Sequence, residues 1–243
     1  MDGETPNVVH YLPIATTVVA AAFAWVVVRR YVIRRSGPHL LWWGAGVVFY
    51  GLGTALESSI TLFGNNIELT KAWYIAGALL GGYPLAQGTV YLLLRRKTAH
   101  LLSAITVPFI AIVAVFVIAS PVDVNALQAH RPGGDILEWQ WVRTMTPLIN
   151  GYAALFLIGG AVLSAHRAAS GGNGTHRAIG NALIAVGALL PGIGGGMAKA
   201  GIVEALYVGE FVGLLLIWAG FFACTQQPRV AQHPQSEPAM EAA

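Results

Sequence analysis

One cysteine, Cys224, stands alone in the chain, so an intrachain disulfide and a two-thiol relay are both excluded. Charge is scarce too: Lys, Arg, Asp and Glu make up 10% of the residues, where soluble domains carry about 25%. Signatures of hydrolytic or nucleotide chemistry are missing as well. There is no Gly-x-Ser-x-Gly elbow, no His-Glu-x-x-His and no phosphate-cradling loop ending in Lys-Ser/Thr, and the glycine run 192–196 has no strand before it. No catalytic residue is assigned, and a non-enzymatic role is expected. The N-terminus, Met1-Asp2-Gly3-Glu4, has no positive region of the kind that opens a signal peptide, so the first apolar stretch is expected to be retained.

What the chain has is hydrophobicity, at 56% of residues and a mean hydropathy of +0.62. It is distributed over seven stretches, 11–28, 38–63, 71–94, 100–120, 142–165, 177–200 and 203–224, each near the ~20 residues that cross a bilayer. The connections sort by charge. Arg29, Arg30, Arg34, Arg35, Arg95, Arg96, Lys97, Arg167, Arg177 and Arg229, ten of the fourteen Lys and Arg, fall on one side, and the positive-inside rule makes that side cytoplasmic. Every acid except Glu237 and Glu241 falls on the other side or in the outer part of a stretch. The expected fold is an all-α integral membrane bundle of seven helices, N-terminus outside and C-terminus cytoplasmic. Residues 1–226 form the transmembrane domain, and 227–243 a polar tail too poor in apolar residues to fold. The net charge of +3 describes a rim facing anionic headgroups, not a nucleic-acid surface. The expected location is a bacterial inner membrane.

Stretches one to three and five to seven share features in register, with stretch four as a link. His39, Gly44 and Gly51 are matched by His176, Gly180 and Gly187, and Lys71-Ala72-Trp73-Tyr74-Ile75 by Glu204-Ala205-Leu206-Tyr207-Val208. Such a three-one-three layout implies a parallel repeat about an axis along the membrane normal. The layout resembles that of the SWEET sugar transporters, and the helix count is similar to that of rhodopsins and of the seven-helix sensors that precede some histidine kinases. The motifs of these families are absent. Stretch 203–224 has no lysine for a retinal, and the only Pro-Gln pair is Pro234-Gln235 in the tail, so no family is assigned.

The candidate site lies in the outer half. Carboxylates at membrane depth cost about 2.5–3.5 kcal/mol on insertion scales and generally face the bundle interior. Glu57 and Glu210 are the two such groups, with Arg143, Lys71 and Lys199 as candidate cationic partners at similar height. Tyr50, Tyr83, Gln87, Asn150 and Tyr207 are expected to line a route. Pro191 and the glycines after it suggest either a bent or unwound sixth helix or a simple close-packing one, and Pro84 suggests a kink in the third that frees the carbonyl of Leu80. The long connection 121–141 is a candidate lid. His39, His100, His166 and His176, at inner helix ends, are the candidate ligands should a metal or haem be bound, although neighbouring arginines oppose a metal ion, and no cofactor is called for.

The expected function is transport or channel-like passage of a small polar solute or ion. Glu210 is the proton- or cation-exchanging group, and Glu57 and Arg143 orient the solute. The alternative is a seven-helix sensor or accessory subunit acting through a separate signalling partner. Glycine-rich faces fit either internal packing or a homo-oligomer.

Overall fold

The computed structural model describes residues 8–35, 37–170 and 175–225. The N-terminal Met1-Asp2-Gly3-Glu4 and the tail 227–243, with Arg229, Glu237 and Glu241, lie outside the described residues. The protein is an all-α bundle. A short 3₁₀ turn (Val8–Tyr11) leads into α1 (Leu12–Arg34), followed by α2 (Gly37–Phe63), α3 (Ile67–Trp73), α4 (Tyr83–Leu93), α5 (Arg96–Ala119), α6 (Gln140–Ala154), α7 (Gly160–Ser170), α8 (Thr175–Lys199) and α9 (Glu204–Thr225). Six segments are long and apolar enough to cross a membrane: Val8–Arg34, Gly37–Phe63, Arg96–Ala119, Gln140–Ser170, Thr175–Lys199 and Glu204–Thr225.

Large apolar side chains on the outer faces of these helices are exposed, among them Trp25, Leu52, Ile105, Ile112, Leu148 and Val162. An apolar exterior of this kind is at home in hydrocarbon, where the backbone must satisfy its own hydrogen bonds, as helices do. α5 is the extreme case, with a mean hydropathy of 2.8 over its most apolar window and only 17% of that window buried. It sits at the periphery, against α4, α6 and the segment preceding α4. The other elements close a ring in which α1 packs on α2, α2 on α4, α4 on α6, α7 on α8, α8 on α9, and α9 on α1.

The third apolar stretch departs from a simple span. Gly64, at φ +89°, ends α2 in the left-handed region, and Asn66 starts α3 by accepting the Leu69 N–H at 2.7 Å. α3 passes into a π-helical turn, Tyr74–Leu79, and the helix restarts at Tyr83. Pro84 therefore occupies the first turn of α4, where its missing N–H costs nothing, instead of kinking a continuous helix. A second π turn, Leu155–Gly159, joins α6 to α7. The two π turns fall in the third and fifth apolar stretches, which are not counterparts in a three-one-three repeat.

The sixth stretch takes the close-packing form, not the unwound one. α8 continues through Pro191 and the glycines after it to Lys199 without unwinding. The reason is its contact with α9, the most extensive helix pair in the molecule. Pro191 deprives the Gly187 carbonyl of its usual donor, and that carbonyl faces Gly213, where a Cβ would lie 2.5 Å away. Backbones meet here because neither glycine carries a side chain.

The long connection is ordered. Asp123 N–H donates to Ile136 O (2.9 Å) and Glu138 N–H to Pro121 O (3.1 Å), while Ile136 and Leu137 are buried in a core shared with α4, α5 and α6.

Candidate functional site

Charge separates along the bundle. Every described acid lies at one end, and Arg29, Arg30, Arg34, Arg35, Arg95, Arg96, Lys97, Arg167 and Arg177 lie at the other. At the acidic end, Glu57 precedes the last residue of α2 by six positions and Glu210 follows the first residue of α9 by six, so each is about 9 Å inside its helix end. The two carboxyl groups come within side-chain hydrogen-bonding reach of one another. α2 and α9 share little close backbone packing, so these side chains bridge the bundle interior.

The surroundings are built from neutral groups. Gly53 and Gly77 allow the π turn to press against α2, since a Cβ on Gly53 would sit 2.9 Å from Gly77 Cα. That close approach delivers Trp73, whose Nε1–H donates to Glu57 Oε1 at 2.7 Å. Tyr50, two turns deeper on α2, donates its hydroxyl to the Glu210 backbone carbonyl at 2.8 Å, tying α2 to α9. Tyr207 is buried one turn outward from Glu210 and packs edge-on against His10, with ring centroids 5.7 Å apart. Thr54, one turn deeper than Glu57, bonds to Thr17 of α1 at 2.9 Å.

Several buried polar atoms at this end have no partner among the described residues: Glu57 Oε2, Glu210 Oε2, Thr61 Oγ1 and His10 Nδ1. Glu57 is 1% exposed and Thr61 4%. Buried polar atoms are normally satisfied by protein or water, so four orphans in one region call for an explanation.

The residues singled out from sequence divide into groups. Glu57, Glu210, Tyr50 and Tyr207 come together. The cations do not join them: Lys71 Nζ donates to the Ile118 and Ser120 carbonyls, both at 2.8 Å, and so caps the end of α5, while Arg143 forms an ion pair with Asp135 in the long connection. Lys199 and Asn150 are exposed. Tyr83 and Gln87 belong to a second polar network between α4, α5 and α6. Tyr152 donates to Gln87 Oε1 at 2.6 Å, Gln87 Nε2 donates to Ser103 Oγ at 2.7 Å, and Tyr83 pairs with Thr106 at 2.6 Å. That network reaches the basic end through Tyr91 and His100, 2.9 Å apart.

Trp73, Thr61, His10 and Tyr152 are not evident from sequence as members of these sites. For Thr61 a signal exists, since it follows Glu57 by one helical turn; for Trp73 the pairing depends on a π turn that spacing does not reveal. Of the candidate metal ligands, His100 and His166 are exposed and His39 and His176 partly buried, and among the described residues no three His, Cys, Asp or Glu side chains are grouped to hold a metal ion. A cavity of about 200 Å³ lies at the basic end, lined by residues including Trp43, Ser164, Arg177, Asn181 and Cys224, and none of the carboxyl-pair residues borders it. Compared with protein-family models, curated proteins and solved structures, the chain matches none.

Proposed function

We propose that this protein is a carrier for a small polar solute or ion in a bacterial inner membrane, with the Glu57–Glu210 pair as its exchange site and Glu210 as the exchanging group. The observation that carries this reading is the meeting of two carboxyl groups, from helices far apart in sequence, with no basic side chain between them among the described residues. Ionisable groups held inside a bundle without a counter-charge are costly to keep for packing alone, and in membrane proteins they mark ion and proton pathways. In this reading the broken α3–α4 segment is a seventh crossing. The acidic end is external, and the tail is cytoplasmic.

The break in that segment supports a carrier, because irregular backbone at membrane depth is where such proteins change shape. Solute entering from the acidic end would meet Tyr207 and the carboxyl pair first. Tyr83, Gln87 and Tyr152 would form the next polar step. The decisive experiment reconstitutes the protein in liposomes and measures proton, cation and solute flux. Flux in the wild type that Glu210→Gln abolishes is expected; equal flux in both would overturn the reading. Burial of the Oε2 atoms of both carboxyls favours a second reading, that of a sensor, which predicts stability or conformational responses to external conditions without flux.

A further inference from the structure

We propose that the species held at the carboxyl pair is a single proton, resting on Glu210 and hydrogen-bonded to an ionised Glu57. This rests on the reading of the pair as an exchange site and names what is exchanged.

Three observations lead to it. First, Glu57 Oε2 and Glu210 Oε2 both lack a partner and both are closed off from water. Two ionised carboxylates offer no donor to each other, so their contact leaves both oxygens unsatisfied. One hydrogen atom placed between them satisfies both, whereas a metal cation requires a shell of several ligands, and among the described residues no three His, Cys, Asp or Glu side chains are grouped to hold one.

Second, among the described residues no cation compensates the pair. The described groups beside it on the packed elements are Tyr50 of α2, Trp73 of α3 and Tyr207 of α9, with His10 of the 3₁₀ turn and Glu204 of α9 next to Tyr207. Arg131 of the long connection acts on Tyr207, and Lys71 and Arg143 are engaged elsewhere. Two bare negative charges side by side in a low-dielectric interior cannot both persist, as in the carboxyl dyads of acid–base enzymes.

Third, the two carboxyls are not equivalent. Glu57 Oε1 receives the Trp73 N–H at 2.7 Å, while among the described residues no donor reaches the Glu210 carboxyl. A donated hydrogen bond favours the charged form, so the negative charge belongs on Glu57 and the proton on Glu210. The unpartnered Thr61 hydroxyl, one turn outward from Glu57, and His10 beside Tyr207 mark the way out. Release moves H⁺ from Glu210 to external water and leaves two carboxylates, a costly state that lasts only until uptake returns a proton.

Infrared spectroscopy of the purified protein in lipid tests this. At neutral pH the wild type should show a protonated-carboxyl C=O band that shifts in D₂O, and Glu210→Gln should remove it. Should that variant not fold, Glu57→Gln serves instead, because replacing the accepting carboxylate by an amide must change the frequency of the Glu210 band. Absence of the band in the wild type, persistence in Glu210→Gln, or an unchanged frequency in Glu57→Gln would overturn the proposal. So would thermal stabilisation by Na⁺ or K⁺ at constant pH that Glu210→Gln loses, which would make the ligand a metal cation. A band without flux in liposomes keeps the shared proton and discards the carrier; flux without the band does the reverse.

Discussion

Glu57 acquires its surroundings from one indole. Trp73 supplies the N–H on Oε1, and its removal leaves a buried carboxylate oxygen without a donor. Trp73→Phe keeps most of the ring's packing while deleting that bond, so it should destabilise the protein by about 1–3 kcal/mol, read from thermal unfolding in detergent. The cost should shrink in a Glu57→Gln background, since a neutral amide tolerates the loss better, and a double-mutant cycle measures the coupling. Gln87 is the corresponding residue of the second network. Gln87→Leu removes the acceptor of the Tyr152 hydroxyl and a donor to Ser103, and a loss of about 1–3 kcal/mol is expected by the same measurement. Lys71 is different: its ammonium caps two carbonyls at the end of α5, and Lys71→Met should cost under about 1 kcal/mol. A large loss of activity in Lys71→Met would place it in the site after all.

At the scale of helices, the contact of α8 with α9 depends on absent side chains. Gly213 faces the Gly187 carbonyl, so Gly213→Leu must push the helices apart and should cost about 1–3 kcal/mol or more. Gly195, on the same helix as Gly187, is the control, because a Cβ added there would meet no heavy atom within 4 Å. Gly195→Ala should be neutral or slightly stabilising, by up to about 1 kcal/mol, because alanine is the better helix former. Equal melting temperatures for Gly213→Leu and wild type would contradict the packing described. Sequence alone leaves open whether Pro191 and its glycines loosen this helix or pack it closely. The composition is legible, but the partner face is not, and a glycine run that is a weak point in an isolated helix becomes a close-packing surface against a second one. Pro84 gives the converse lesson: a proline expected inside a helix opens one, because the π turn before it ends the preceding helix.

For the molecule as a whole, charge asymmetry gives an orientation that labelling can check. With Cys224 replaced by Ala, a cysteine at Asn125 in the long connection should react with a membrane-impermeant maleimide added to intact cells, and one at Lys97 should react only after permeabilisation. The opposite pattern would invert the proposed topology and place the carboxyl pair at the cytoplasmic end.

Sequence by itself determined the membrane class and the charge polarity of the two ends, and it singled out Glu57 and Glu210 as candidates to face inward. Those follow from the local cost of exposing charge to hydrocarbon, which each segment meets on its own. Only the tertiary structure decided that the two carboxyls share one site while Lys71, Arg143 and Lys199 stay outside it. Partner choice depends on how far each helix extends, where the chain breaks into a π turn and which glycines let backbones touch. Those are properties of pairs of segments, and no single stretch of residues carries them.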